Sequence, residues 1–281
     1  MRTNIYGKMR SAVTFLAVGL LLWNCSGGTR EPASQEKTAD TLYPEARLSA
    51  EIKQELYALP TPLEITIILE KSRAGYIFDI TNPPGNAAKY IAEREKALNL
   101  GVYTADLAYS ATYGQKDATN KFLACTAKLS DELGIAGIYE AGLVERVKRV
   151  GNNRDSLVGM VENVLMHTSS LLARQNRHYL AVLIATGAFV EGLYLAAELN
   201  VVAENNTLIS SVIEKQQLHL NQLLTVMEPF RECKQMDALF QQLTSLRSVF
   251  TDFGLKPGKP LPREKAMALS DVVEKVRNEI I

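Results

Sequence analysis

Two acidic residues stand alone within long apolar stretches, and they are the side chains best suited to form a chemical site in this sequence. Glu191 is the only charged residue in AVLIATGAFVEGLYLAA, and Asp106 is the only one in LNLGVYTADLAYSATYG. A carboxylate in an apolar environment is unfavourable unless it is paired, so isolated acids of this kind can mark a functional site. Tyr103, Tyr109 and Tyr194 lie near them in the sequence and supply hydroxyl groups and apolar surface. These five residues form a candidate ligand-binding site.

A second interpretation of the same acids is structural, and we favour it. Four polar residues around Asp106 are spaced by seven, four and three residues, which places them on one face of a helix: Asn99, Asp106, Ser110 and Tyr113. Glu191 has the same seven-residue relation to Glu198. We therefore expect each acid to lie on a narrow solvent-exposed stripe of an otherwise apolar helix.

The other residue types that carry chemistry do not form a known motif. The histidines, His167, His178 and His219, have none of the HExxH, ExxH or Cys/His spacings that are typical of metal sites. The sequence has no GxSxG motif for a serine nucleophile. The two glycines of TGAFVEG lie five residues apart in a helical pattern, where they favour close helix packing. We predict no catalytic residue, no metal and no cofactor.

The N-terminus has the features of an exported, lipid-anchored protein. Basic residues precede an uncharged run over 11–23, which is shorter than the roughly 20 residues that a membrane-spanning helix needs. The sequence LWNC ends at Cys25 and resembles the lipobox of bacterial lipoproteins, whose cysteine receives diacylglycerol and becomes the new N-terminus. The alternative is an ordinary secretory signal with an incidental cysteine. We predict a signal peptide over 1–24 and lipid on Cys25. Ser26 is not the aspartate that retains lipoproteins at the inner membrane, so we expect the outer membrane.

Composition separates a tether from a folded domain. Residues 25–42 are mostly small and polar and include no aromatic residue, as in a flexible tether. Without residues 1–24 the chain has 28 basic and 31 acidic residues, a net charge of −3, and no basic cluster that would bind nucleic acid. Residues 43–281 are long enough to bury a substantial core. We expect them to form a single domain.

Apolar residues recur at three- and four-residue spacing along this domain, which predicts amphipathic helices. The first covers the segment from Leu48 to Leu59, and Thr61-Pro62 opens a second as N-cap and first helical residue. We predict further helices over 86–98, 100–113, 117–133, 137–149, 154–174, 178–199, 204–227, 230–250 and 264–280. Alternating strand patterns are missing from the sequence, so the predicted fold class is all-α.

Some local features refine this prediction. Asp117 and Asp155 are candidate N-caps, because their carboxylates can accept hydrogen bonds from a first helical turn. The segment AGYIFDITNPPGN contains β-forming residues without a partner strand, so we predict a buried loop. Cys125 and Cys233 lie far apart within helical patterns, and we favour two separate core thiols over a disulfide.

Two apolar segments of the chain resemble each other. At an offset of 86 residues, Gly101 aligns with Gly187 and Tyr103 with Phe189. The likeness suggests a duplicated unit of about four helices, as in an array of antiparallel helical hairpins of the tetratricopeptide kind. The alternative is a coincidence between two apolar helices.

The segments ALNLGVYTADLAY and EGLYLA also resemble a group of helical lipoproteins from gut-type Gram-negative bacteria. This resemblance covers most of the chain after residue 24 and implies an all-helical fold and a cell-envelope location, but no catalytic residue, because the group has no assigned chemistry. We expect a non-enzymatic helical module, tethered to the membrane, that binds a protein partner or a small ligand. The alternative is a solute-binding protein or enzyme that uses an acidic, tyrosine-lined cleft. A deep pocket containing both acids would favour the alternative, and solvated acids would favour the first interpretation.

Overall fold

Helices make up most of the chain that the structure describes, as the periodicity predicts. The computed structural model describes residues 48–135, 149, 153–204, 206–256 and 258–281. In this part of the chain about 77% of residues are helical and no strand is present, so the fold class is all-α. The α-helices are α1 (Ala50–Tyr57), α2 (Pro62–Lys71), α3 (Glu93–Thr112), α4 (Lys116–Glu132), α5 (Arg154–Arg174), α6 (His178–Val202), α7 (Thr207–Met227), α8 (Lys234–Phe253) and α9 (Arg263–Asn278).

Several predictions concern residues outside this description. The signal peptide over 1–24, the lipid site at Cys25, the tether over 25–42 and nearly all of the helix predicted over 137–149 belong to this group. They remain predictions from the sequence.

The helix starts confirm one predicted cap and correct two others. Thr61 is the N-cap of α2 and Pro62 its first residue, as predicted, although the Thr61 side chain makes no capping hydrogen bond. The N-caps of α4 and α5 are Gln115 and Asn153, so the predictions that place Asp117 and Asp155 there are wrong. Both aspartates lie in the first turn instead, where a negative charge still interacts favourably with the helix dipole.

Helix α3 runs without a break through the position where the sequence pattern predicts one helix to end and another to begin. Every residue from Ala97 to Thr112 is buried. A helix that is buried on all sides has no polar face, so the pattern that would mark its continuity is weak. The segment over 74–86, predicted as a buried loop, contains no strand, but its Phe78 side chain is exposed and a short 3-10 helix begins at Pro84.

Helices α3 and α6 cross at two glycines. A Cβ atom on Gly101 would overlap the carbonyl oxygen of Ile184, and one on Gly187 would overlap the carbonyl oxygen of Leu98. The two contacts are reciprocal, because the same offset of 86 residues relates both glycines and both carbonyl groups. Only residues without a side chain allow two helix backbones to approach this closely. The prediction that Gly187 serves helix packing is confirmed.

The remaining helices surround this central pair. Helices α2, α4 and α5 pack against α3, while α7 and α9 pack against α6. The largest helix interface joins α3 to α6, which are not adjacent along the chain. In a hairpin array each hairpin packs mainly on its sequence neighbour, so the tetratricopeptide-like arrangement is not confirmed.

Helix α6 combines unusual length with an apolar composition. Within the described ranges, it is the one helix long and apolar enough to cross a membrane, and 89% of its most apolar window is buried inside the protein. A central core helix has the same properties. This feature is therefore weak evidence for a membrane span.

Candidate functional site

Asp106 and Glu191 are completely buried, so the prediction of solvent-exposed stripes is wrong. Both residues are 0% exposed, and Asn99 and Ser110 are buried with them. Only Tyr113, of the four residues of the predicted α3 stripe, is partly exposed. The reason lies in the packing, because the neighbours of α3 and α6 leave neither helix a face for water near its acid.

Glu191 forms a buried ion pair with Arg277 of α9. The Nε and Nη2 atoms of Arg277 donate to the two carboxylate oxygens of Glu191, at 2.6 and 2.9 Å. This bidentate geometry is the most favourable one for an arginine and a carboxylate. Arg277 also donates to the carbonyl oxygen of Ile80 at 3.3 Å, and its guanidinium lies 4.4 Å from the ring centre of Tyr194. Burial lowers the pKa of Arg277, but the acidic groups around it, chiefly Glu191, more than offset this effect, so the pKa is raised and the guanidinium stays charged.

Asp106 is the second acid of the same cluster. Its Oδ2 atom accepts a hydrogen bond from the backbone N–H of Asn82 at 3.1 Å. Burial and the nearby charge of Glu191 raise the pKa of Asp106 well above its usual range, and the positive charge of Arg277 only partly opposes them. Two carboxyl groups share one guanidinium, so charge balance favours a proton on Asp106 and the negative charge on Glu191.

The three candidate tyrosines contact residues near the two acids, and two of them hydrogen-bond to the segment that precedes α3. Tyr103 donates a hydrogen bond to the carbonyl oxygen of Pro83 at 2.8 Å, and Tyr109 accepts one from the N–H of Ile77 at 2.8 Å. Tyr194 supplies the ring beneath the Arg277 guanidinium. All three side chains are buried. The five predicted residues therefore lie close together. Tyr103 and Tyr109 hold the loop that precedes α3, and Tyr194 packs against Arg277.

This polar cluster joins distant parts of the chain and is not open to a ligand. Arg277 links α9 to α6 and to the loop at Ile80, while Asn99 of α3 donates to the carbonyl oxygen of Ile280 at 2.7 Å. Neither acid lines the apolar cavity beside α6 or the wider, more open groove between α2 and α5. The structure thus meets neither of the two criteria set by the sequence, because the acids are buried and yet line neither of these spaces in the described part of the chain. We assign the cluster to holding α3, α6 and α9 together.

Arg277 is not among the residues predicted for the site, although the sequence contains a signal for it. The residue lies on the apolar face of α9, one position from Val276 and four positions after Val273. A charged residue on the buried face of an amphipathic helix needs a partner. The isolated acids of α3 and α6, Asp106 and Glu191, are the candidate partners for this charge.

A cavity of about 150 Å³ lies beside the α3–α6 crossing. Its walls are mostly apolar and come from α1, α2, α3, α5, α6 and α7. The main lining residues are Leu56, Ile65, Leu100, Val164, Leu172, Ile184, Phe189 and Leu223. Among the residues that the structure describes, no charged residue contributes to the lining. A cavity of this size lined by aliphatic and aromatic side chains can hold a benzene-sized molecule.

Small residues on one face of α6 leave this space open. Ala181, Ala185 and Ala188 recur at four- and three-residue spacing and all face the cavity. Leu165 and Ser169 of α5 form part of the rim, where side chains are partly or fully exposed. The cavity therefore has an apolar interior and an edge that reaches the protein surface.

Gln216 and His219 of α7 form the polar corner of the cavity. The Nε2 atom of Gln216 donates to the carbonyl oxygen of Val212 at 3.1 Å, and its Oε1 atom lies 3.2 Å from Nδ1 of His219. Burial lowers the pKa of His219, so the ring is neutral at pH 7. Sequence analysis missed this pair. The available signal was a buried glutamine on the apolar face of α7, between Ile213 and Leu220.

The other histidines and the cysteines do not assemble into a site. His167 is exposed on α5, whereas the buried His178 ring contacts Tyr57. Among the described residues, no group of three or more His, Cys, Asp or Glu side chains could hold a metal ion. Cys125 and Cys233 are free thiols, and the first is buried while the second is half-buried. The prediction that they do not form a disulfide is confirmed.

Comparison with known proteins adds no relative to this description. No protein family, no curated protein and no solved structure matches the chain.

Proposed function

We propose that this chain is a lipid-anchored binding protein of the bacterial cell envelope, and that its helical domain takes up a small uncharged ligand in the cavity beside α6. The observation that carries the proposal is the composition of the cavity wall, which is apolar apart from a few hydrogen-bonding groups and has no charged side chain. Ligand sites commonly have this composition, since apolar walls provide affinity and a few polar atoms orient the ligand.

The sequence supports the anchored location. The basic N-terminal residues, the short uncharged run and the lipobox-like position of Cys25 together favour export and lipid attachment. The polar tether over 25–42 would let the domain stand away from the membrane. The absence of an aspartate at Ser26 favours the outer membrane.

The buried cluster argues against a site at the acids. Glu191 is fully engaged by Arg277, and Asp106 is held by Asn82 and by its interaction with Glu191. A ligand could reach either carboxyl group only if the central helices separated. We therefore favour binding without catalysis, at a place distinct from Asp106, Glu191 and the three tyrosines.

We also infer that α3 and α6 descend from a duplicated unit. The reciprocal contacts of Gly101 with Ile184 and of Gly187 with Leu98 support this origin. An internal duplication would explain why the two most deeply buried helices each carry one acid at nearly equivalent positions. The cavity and the acid cluster then involve different residues of the two copies.

A cavity-filling variant tests the proposed site. Ala185→Leu adds three carbon atoms that point into the cavity, so it should block a small ligand without unfolding the protein. Toluene at ten times its Kd should stabilise the wild-type chain by about 1.4 kcal/mol, which raises Tm by about 3–6 °C in a protein of this size. The variant should show no such rise when thermal unfolding of the full chain is followed by circular dichroism in one detergent.

The control is Ala124→Leu, which makes the same change on an exposed position of α4. It should keep the full toluene-induced rise in Tm, because partition of toluene into the detergent is the same for every variant. Equal responses of the wild type and Ala185→Leu would overturn the proposal.

A further inference from the structure

The hydrogen bonds at the polar corner of the cavity determine which atom of His219 can meet a ligand. Gln216 must direct its amide nitrogen at Val212, because a backbone carbonyl only accepts hydrogen bonds. The amide oxygen of Gln216 then faces Nδ1 of His219, so Nδ1 must carry the proton and donate it. The orientation of Gln216 thereby fixes the tautomer of the histidine.

In this tautomer the Nε2 atom of His219 is an acceptor with a free lone pair. No described residue forms a hydrogen bond with Nε2, and His219 is one of the residues that line the cavity. Because burial also keeps the pKa of the ring below its usual value, this lone pair persists at pH 7.

Two hydroxyl groups on the cavity wall, those of Thr104 and Thr168, have the same character. Thr104 donates its hydroxyl hydrogen to the carbonyl oxygen of Leu100 at 2.6 Å, and Thr168 donates to the carbonyl oxygen of Val164 at 2.8 Å. Each hydroxyl hydrogen is therefore used within its own helix, and only oxygen lone pairs remain for a ligand. These two hydroxyl groups and Nε2 of His219 can therefore only accept a hydrogen bond from a ligand.

We propose that the cavity selects a small alcohol or phenol, with the apolar body packed against Leu100, Ile184 and Phe189 and the hydroxyl group donating to Nε2 of His219. This inference rests on the proposed function, because it specifies the ligand class of the same cavity. An anionic or cationic ligand has no counter-charge in the lining. The volume of about 150 Å³ accommodates one six-membered ring or a chain of similar size.

Phenol and toluene provide a nearly isosteric pair of probes that differ in the donor. The affinities of both are measured for the full chain in the same detergent, and the ratio of the two Kd values is compared among variants. This ratio cancels effects that alter both ligands equally, such as a change in cavity volume. His219→Phe keeps a ring in place but removes Nε2, so it should lower the preference for phenol about fivefold, as expected for one lost neutral hydrogen bond.

The matched control is His167→Phe, on the exposed face of α5, which should leave the ratio unchanged. A second measurement covers the case in which His219→Phe does not fold. In the wild-type chain, the ¹⁵N resonance of the Nε2 atom of His219 should shift when phenol is added and stay in place when toluene is added.

The possible results separate the two proposals. If phenol and toluene both bind but the ratio and the nitrogen resonance do not respond, the assignment of an alcohol or phenol is wrong while the cavity remains a ligand site. If neither probe binds to the wild-type chain, the proposed function is wrong and this inference fails with it.

Discussion

Replacement of Glu191 by leucine tests whether the buried ion pair holds the helical core together. The substitution leaves the Arg277 guanidinium, whose side chain is only 8% exposed, without a carboxylate partner. Removal of one member of a buried pair costs about 3–5 kcal/mol, because a desolvated charge remains. The hydrogen bond to Ile80 and the ring of Tyr194 compensate for little of this loss. We therefore expect Glu191→Leu to lower the free energy of unfolding by about 3–5 kcal/mol.

The pair can be isolated by a double-mutant cycle. Arg277→Met should also destabilise the protein, since it leaves the carboxyl group of Glu191 buried without its charged partner. The combination of Glu191→Leu with Arg277→Met removes both charges, and apolar replacements of a buried pair are often tolerated well. The double variant should thus be more stable than the sum of the two single effects predicts, by about 2 kcal/mol or more.

Urea unfolding followed by circular dichroism measures all four members of the cycle. The control cycle uses Glu204 and Arg263, whose side chains are 51% and 59% exposed. Exposed pairs contribute about 0.2–1 kcal/mol, so Glu204→Leu and Arg263→Met should show a coupling within this range. A change below about 0.5 kcal/mol for Glu191→Leu is typical of a surface position and would refute the reasoning.

Three further predictions follow from burial, close packing and the N-terminal sequence. Because the folded state raises the pKa of Asp106, it retains a proton that the unfolded chain releases above about pH 4, so stability should fall as the pH rises through that window. Asp106→Asn should reduce this decline in urea titrations carried out above about pH 5, whereas the exposed Asp271→Asn should retain it. Gly187→Ala should destabilise the protein by about 1–3 kcal/mol in the same assay, because the added Cβ meets the backbone of α3. The control Gly159→Ala adds a Cβ that meets no atom within 4 Å and should stabilise α5 by about 0.5–1 kcal/mol. Cys25→Ala should abolish labelling of the chain by radioactive fatty acid, and continued labelling of this variant would contradict lipid attachment at Cys25.

The fold class and several helix positions could be predicted because they depend on local signals. Three- and four-residue spacing identifies α1, and Thr61-Pro62 marks the start of α2. The close packing at Gly187 follows from glycine within an apolar helix. These properties are encoded within a few turns of the chain, so a single sequence is enough to recognise them.

The burial of the acids could not be predicted from their own helices. A residue flanked by apolar neighbours can lie on a narrow solvent-exposed stripe or in a fully enclosed position, and the periodicity is the same in both cases. The choice depends on Arg277, which lies 86 residues after Glu191 and reaches it only when α9 packs on α6. Such an arrangement depends on tertiary packing that helical periodicity does not specify.

The cavity could not be predicted from the sequence either, because it arises from volume that several helices leave unfilled. Ala181, Ala185 and Ala188 form a small-residue face that would serve equally well for close packing against another helix. Only the positions of α1, α2, α5 and α7 show that the space beside this face remains open. The donor and acceptor pattern at Gln216 and His219 likewise depends on where α7 lies.

The central claim is that the cavity beside α6 binds a small uncharged molecule, and the most direct test is to locate a bound probe by nuclear Overhauser effects. Toluene is added to the full chain with labelled methyl groups. We predict cross-peaks from the aromatic protons of toluene to the methyl groups of Ala185 and Leu223, both of which line the cavity. Cross-peaks only to exposed methyl groups such as those of Leu218, or none to the protein, would contradict the claim.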